Sequence, residues 1–355
     1  MRVHSSIDGR RGRILGLVGE RPHWRIADLA AELGVSAVTV RRDVETLAGA
    51  GLLDRSHGRV ARLPAAGPGR ASGAGVLLGM VVPSAGYYFA EVIRGARAAA
   101  EACGARLVLG ISDYSPAGDV EQVGALVAAG AQGLLLTPNW TDGRPGPAEE
   151  AWLLGLGLPV VLVERGAGPG SALAALDRVC SDHAHGAAAA VRHLAGLGHR
   201  RIALLASPGT PTAGPIGTGY RTALRALGLD EPDPVTGDGL AGAVGRGEVT
   251  AALVHTDADA IVLLRKLRAQ GVRVPEELAL IAYDDEIAAL ADVPLTAVAP
   301  PKRTIGTAAL ELLRLRIPAP GIGRRQREVP YRHLELLPEL RIRASCGGLA
   351  VAETM

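Results

Sequence analysis

Leu33-Gly34-Val35-Ser36-Ala37-Val38-Thr39-Val40-Arg41-Arg42-Asp43-Val44-Glu45-Thr46-Leu47 reads as a tight turn followed by a helix that carries paired arginines. Gly34 permits the sharp turn, and Ser36 is a good N-cap because its hydroxyl accepts a bond from a free helix N–H. Val40, Val44 and Leu47 recur at helical spacing, so their stripe faces inward. At about 100° per residue, Val38, Arg42 and Glu45 point the opposite way, with Thr39 and Arg41 flanking. A helix with a dry back and an Arg/Thr front suits the major groove of DNA. That groove is wide enough for a helix, and guanine offers O6 and N7 to arginine.

Moving outward, residues 10–20 (RRGRILGLVGE) predict a first helix with Ile14, Leu15 and Val18 inward. Residues 25–33 predict a second, with Ile26, Leu29, Ala30 and Leu33 as its stripe. Residues 52–63 (LLDRSHGRVARL) alternate and turn at His57-Gly58, as a small β-hairpin would. Three helices and a hairpin over residues 8–62 make a winged helix-turn-helix. Residues 1–62 hold 11 Arg against 7 Asp/Glu, a net of +4, while the whole chain carries only +2. A basic head on a mildly acidic body is the footprint of a DNA-binding module, although an ordinary solvated basic face gives the same sum. Residues 63–75, rich in Pro, Gly, Ala and Ser without periodicity, read as a flexible linker.

From Val76 the pattern changes. Short apolar runs at 76–82, 106–111, 133–137, 159–164, 201–206, 251–256 and 278–283 alternate with helical stretches at 89–103, 118–130, 184–197, 219–227, 259–271 and 303–316. Buried strands alternating with helices predict an α/β fold with parallel sheets covered on both faces. Two subdomains are expected, 76–164 with C-terminal return segments, and 165–290. A ligand cleft is expected at the strand ends, and 347–355 form a tail. With 48% hydrophobic residues over 355, a sizeable core is expected and general disorder is excluded. Every long apolar run is interrupted by Gly, Pro or charge, so no membrane span is expected. The N-terminus has no apolar h-region, and Cys103, Cys180 and Cys346 are odd in number and far apart. A reducing cytoplasm fits both. Lysine occurs only at Lys266 and Lys302, while arginine is abundant, which reads as a GC-rich coding bias.

The head resembles the DeoR-type winged helix-turn-helix. The resemblance is carried by Ile26-Ala27-Asp28-Leu29-Ala30, Gly34-Val35-Ser36, Thr39-Val40-Arg41-Arg42-Asp43 and Asp54-Arg55-Ser56-His57-Gly58. It implies that Ser36, Thr39, Arg41 and Arg42 face DNA, with Arg55 and His57 on the wing near phosphates. Val38 joins them from the helix geometry. An arginine that touches only phosphate would position the domain without reading sequence, and Asp43 is equally a partner for a neighbouring arginine.

Residues 76–346 resemble the LacI/GalR-type effector domain, itself similar to periplasmic sugar-binding proteins. The matching fragments are Tyr88-Phe89-Ala90-Glu91-Val92-Ile93-Arg94-Gly95, residues 159–165 (PVVLVER) and Asp182 to Ala187. Further along come His193-Leu194, residues 197–203, residues 271–276 through Tyr283-Asp284-Asp285, Pro294-Leu295-Thr296 and residues 340–345. The resemblance implies a small-molecule effector, a sugar or nucleoside-like compound. Tyr88 and Phe89 would form a stacking wall, Glu164 or Arg165 the cleft edge, and Asp182, Thr256, Asp257 and Asp284 polar contacts. A carboxylate at a strand end accepts bonds from two hydroxyls, which polyol recognition needs. Asp182 and Asp284 equally suit helix caps, and Tyr88 and Phe89 equally suit core. Two departures from the family argue for an atypical or degenerate pocket. No arginine lies in 207–219, where Ile216 stands near the expected place, and 237–247 is short and Gly-rich.

An enzyme reading finds no Walker loop, GxSxG or HExxH. A sugar-phosphate-processing type of domain, the usual companion of a DeoR-type head, fits the 76–346 motifs less well. His185 and His193 are two helical turns apart, roughly 12 Å, too far to share one ion. The expectation is a cytoplasmic, ligand-responsive repressor with no cofactor and no metal. It binds double-stranded operator DNA and an effector, pairs as a homodimer and does not engage a membrane.

Overall fold

A computed structural model of the chain describes residues 10, 13–14, 16–18, 21, 23–49, 53–56, 59–62, 75–141, 143–207, 209–317 and 329–348. His57, most of the linker and residues 349–355 lie outside these.

In the N-terminal segment, residues 10, 13–14 and 16–18 are helical. They are followed by β1 (Trp24–Arg25), α1 (Ile26–Leu33), α2 (Ala37–Gly49), β2 (Leu53–Ser56) and β3 (Arg59–Arg62). Gly34 ends α1 in the left-handed conformation at φ 66°, which a side chain would resist. β2 and β3 form the expected antiparallel hairpin, with Arg55 opposite Val60. β1 adds an unexpected third strand, pairing Trp24 with Val60. Two residues are too short for a period-2 pattern to register. Ile14, Val18, Leu29, Val40, Val44 and Leu47 are all buried, as their spacing predicts.

The chain forms two compact units. The first holds residues up to Cys180 with Lys302–Leu334; the second holds Ser181–Pro301 with the segment from Glu335. In the first unit, β4 (Leu77–Val82), β5 (Arg106–Ile111), β6 (Leu134–Leu136), β7 (Val160–Val163) and β8 (Asp177–Ser181) run parallel. With β13 (His333–Leu336) they form a sheet ordered β13-β8-β7-β6-β4-β5. Its helices are α3 (Tyr88–Ala102), α4 (Pro116–Ala128), α5 (Pro147–Gly155) and α10 (Lys302–Arg316). α3 and α10 pack almost backbone to backbone. A Cβ at Gly95 would strike the Arg303 carbonyl, and one at Gly306 the Val92 carbonyl. Either glycine replaced by a larger residue forces the pair apart.

The first unit thus runs past the 164/165 division expected from the sequence, because β8 pairs with β7. The buried Asp177 carboxylate also ties the return segment down. It accepts from Arg316 Nε at 2.5 Å, Arg316 Nη2 at 3.0 Å and the Arg332 N–H at 2.7 Å. Asp-Arg-Val-Cys-Ser is too polar to read as a buried strand, which is why the element was invisible to hydropathy.

In the second unit the sheet order is β14-β12-β11-β10-β9. β9 (Ile202–Leu205), β10 (Ala251–Val254), β11 (Ala279–Tyr283) and β12 (Thr296–Ala299) are parallel. β14 (Glu339–Arg341) is antiparallel to β12. Leu253 and Ile281 enter one buried cluster, with α6 (His183–Gly196) and α7 (Ala213–Ala226). Ala252 and Leu280 enter the other, with α8 (Leu240–Gly245) and α9 (Asp257–Ala269). Successive residues therefore face opposite cores, as a two-sided parallel sheet requires. Among the described residues no helix is long and apolar enough to cross a membrane.

Candidate functional site

On α2 the polar front stands clear of the core. Val38 is 61% exposed, Arg41, Arg42 and Glu45 are exposed, and Thr39 is half-buried. Ser36 does cap the helix, with its Oγ accepting from Thr39 N–H at 3.2 Å and lying 2.8 Å from Thr39 Oγ1. Asp43 does not face DNA. It is 3% exposed and accepts from Arg10 Nε at 2.6 Å. Its arginine partner comes from 33 positions away, so the acid of the Arg-Arg-Asp triplet fastens α2 to the first helical segment, which holds Arg10.

Each unit carries further candidate residues at its own strand carboxyl ends. Among the described residues, six that are not glycine have positive φ: Tyr87, Asp113, Tyr114, Glu164, Asp284 and Asp285, at 45–86°. Every one lies just after β4, β5, β7 or β11. Such backbone costs of order 1–3 kcal/mol each and collects where a ligand is held. In an aromatic-poor chain, Tyr87, Tyr88, Phe89, Tyr114 and Trp140 also gather after β4, β5 and β6, five of the chain's ten aromatic residues.

In the first unit, Tyr88 Oη donates to Glu164 Oε1 at 2.6 Å, and Lys302 Nζ stands 5.3 Å above the Tyr88 ring. These three residues are brought together as a polar group. Phe89, expected in the stacking wall, is 6% exposed core that meets Tyr88 edge-on at 5.4 Å. Arg165 is turned onto the backbone, with Nε donating to Pro138 O at 3.1 Å and Nη1 to Glu164 O at 2.7 Å. Beside it, buried Asp119 accepts from Asn139 N–H at 2.6 Å and Asn139 Nδ2 at 2.9 Å. Burial pushes the Asp119 carboxyl above its ordinary value, against the pull of those bonds and one from Ser112.

In the second unit, three expected contacts have structural duties. Asp182 caps α6, with Oδ1 accepting from His185 N–H at 2.7 Å. Thr256 caps α9 by accepting from Asp259 N–H at 3.0 Å. Asp257 is fully buried, and its Oδ2 accepts from the N–H groups of Glu286, Ile287 and Ala288 at 2.6, 2.6 and 3.0 Å. A carboxylate so engaged braces the β11 loop rather than reaching a ligand. Asp284 is half-buried at φ 86° at the end of β11. Its neighbour Asp285 is clamped by Arg343 Nη1 at 2.6 Å and Arg341 Nη1 at 2.9 Å. Sequence reasoning missed Asp119, Asn139, Lys302, Thr212 and His255. For Lys302 a signal existed: a lysine kept in a chain that otherwise uses arginine, here buried. For the others the decisive partners are distant in sequence. Among the described residues no cluster of His, Cys, Asp or Glu is placed to hold a metal ion.

Comparisons with known proteins bear on both sites. Residues 10–64 match the family described as the DeoR-like helix-turn-helix domain, and residues 191–346 the periplasmic binding protein-like domain. The HTH-type transcriptional regulator CelR of Thermobifida fusca is 33% identical over 194 residues, 51% of this chain and 55% of that protein. The ribose operon repressor of Escherichia coli strain K12 is 32% identical over 170 residues, 44% of this chain and 49% of that one. The chain thus spans about half the length of the curated relatives it matches. A solved complex of transcriptional regulator CelR with cellobiose aligns at TM-score 0.62 and 26% identity, covering 87% of this chain and 90% of that one. The chain joins a DeoR-like helix-turn-helix domain to a periplasmic binding protein-like domain, and its relatives are LacI-family regulators.

Proposed function

We propose that this chain is a ligand-responsive transcriptional regulator, a repressor of genes for the use of sugars or related small molecules. The observation that carries it is the α2 front, where Val38, Arg41 and Arg42 stand exposed over a buried Val40-Val44-Leu47 back. Arg42 reads base edges, with Ser36, Thr39 and Arg41 beside it, and Arg55 and His57 contact phosphates, as the resemblance implies. The effector is held by residues at strand carboxyl ends, for which Tyr88 and Glu164 are the candidates in the first unit and Asp284 the candidate in the second. CelR is solved with cellobiose and another relative is named for the ribose operon, which supports a sugar. The relatives are named as regulators, so the reading is a sensor and not an enzyme.

Two chains pair through 76–346 in the cytoplasm and place two heads on a two-fold related operator. Effector binding shifts operator affinity because the effector binds the two states unequally. Ile216 stands buried where the resemblance leads one to expect arginine, so that position offers the effector no cation. Gel-shift titration of the DNA upstream of the gene tests the reading. Arg42→Ala should weaken specific binding by roughly 10–100-fold, the loss of one bidentate base contact. Unchanged affinity would remove the groove assignment.

A further inference from the structure

We propose that His255 is a positioning residue that aims the hydroxyl of Thr212 at an uncharged effector and makes effector binding sensitive to acid. This rests on the effector reading above and deepens it. His255 follows β10 directly and is 3% exposed. Its Nδ1 accepts from the Ser207 N–H at 3.1 Å, so that nitrogen carries no proton while the bond holds. The neutral ring then carries its proton on Nε2. Nε2 lies 2.7 Å from Thr212 Oγ1 and 3.4 Å from Thr210 Oγ1, so Thr212 takes the N–H. Thr210 is occupied in donating to Ser207 O at 3.1 Å.

Thr212 occupies the N-cap of α7, where a threonine ordinarily bonds the helix N–H groups, yet its hydroxyl makes no capping bond. It has been turned to the imidazole instead. A hydroxyl whose lone pair is taken by a ring N–H keeps its own O–H to donate. Half-buried Thr212 therefore presents a donor at the strand end, suited to a ligand hydroxyl or ring oxygen. Where the resemblance leads one to expect an arginine nearby, Ile216 is fully buried. The chain thus offers a neutral donor there, which suits an uncharged oxygen and needs no charge on the ligand.

The charged groups facing His255 are His183 at the start of α6 and Asp259 on the first turn of α9. The loop before α7 adds only hydroxyls and backbone. Burial first, then His183, hold the imidazole below its ordinary value, with Asp259 pulling the other way. Once protonated, the ring has a donor at both nitrogens, and Nδ1–H then opposes the Ser207 N–H. The loop carrying Thr212 must let go.

The test uses the full chain. A thermal-shift panel of neutral mono- and disaccharides, ribose and cellobiose included, supplies the probe as the sugar with the largest shift. Calorimetric affinity for that sugar should fall in the wild type as pH drops from 7.5 through the folded His255 value, by about tenfold once the ring is protonated, the worth of one hydrogen bond. His255→Gln keeps an acceptor and a donor without titrating, so it should bind at pH 7.5 and lose the pH dependence. His255→Leu and Thr212→Val should each bind about tenfold more weakly at pH 7.5. Nitrogen-labelled histidine in the same protein should show His255 protonated at Nε2 in NMR spectra, with the signal assigned by its loss in His255→Gln. A proton at Nδ1, or a sugar bound equally by the wild type, His255→Leu and Thr212→Val, overturns this proposal alone. No shift of the wild type by any sugar overturns the effector reading and this proposal with it.

Discussion

At the carboxyl ends of β4 to β7 the chain gathers aromatic rings and backbone in strained conformations. At the carboxyl ends of β9 to β11 it gathers hydroxyls, imidazoles and carboxylates. Both edges come from the same parallel topology, which sends every strand's end into a loop and then a helix. The first edge combines buried rings, Phe89 and Trp140, with bonds such as that from Tyr88 to Glu164. The second rests on long-range hydrogen bonds, such as those from the 286–288 backbone to Asp257 and from Ser207 N–H to His255. A ring offers a stacking face at low entropy cost, while a bonded side chain offers direction.

The sharpest way to break this comparison is Asp257→Ala. It leaves three N–H groups without their acceptor, the one at Ala288 buried, and should cost roughly 2–3 kcal/mol, read as a drop in the unfolding midpoint. A loss below about 1 kcal/mol would mean that the β11 loop is held by packing, like the first edge. Next in size is Tyr87→Gly. Glycine accepts φ 45° without penalty, so the variant should be about 1 kcal/mol more stable and should respond less to effector. A destabilised Tyr87→Gly would show that the ring's packing outweighs the strain.

The smallest effect is the pH response, where the two edges should move in opposite directions. His255 has its folded pKa lowered, so its stabilising contribution is present above the ordinary histidine value and is lost as pH falls through the folded one. Asp119 has its folded pKa raised, so the folded state binds the proton more tightly, and the first unit gains stability as pH falls toward the ordinary carboxyl value. Hydrogen exchange in the loops after β10 and after β6 should diverge on acidification, and His255→Gln and Asp119→Asn should each flatten one side. Parallel behaviour in both loops would dissolve the distinction.

Much of the fold is legible in the sequence. The apolar runs at 106–111 and 278–283 become β5 and β11 within a residue; β11 is buried on both faces and must be apolar throughout, while β5 is the half-buried edge of its sheet. The unread elements are those whose stability lies elsewhere. β8 is polar and held by its neighbours and Arg316, β12 is four residues between prolines, and β1 is a two-residue pairing. The sites are less legible. Tyr88, Glu164 and Asp284 do stand at strand ends, whereas Asp182 and Thr256 cap helices and Phe89 is core.

The sequence by itself determined the face of α2, because helical period and side-chain chemistry are local properties that fifteen residues contain in full. It likewise determined the alternation of buried strands and helices. Only the tertiary structure decided which polar residues are free to meet a ligand or DNA. Asp43 finds Arg10 across 33 positions, Asp257 finds the 286–288 backbone, and His255 finds Ser207 and Thr212 more than 40 positions away. A hydrogen bond depends on where two groups meet in space, and no local period encodes that meeting.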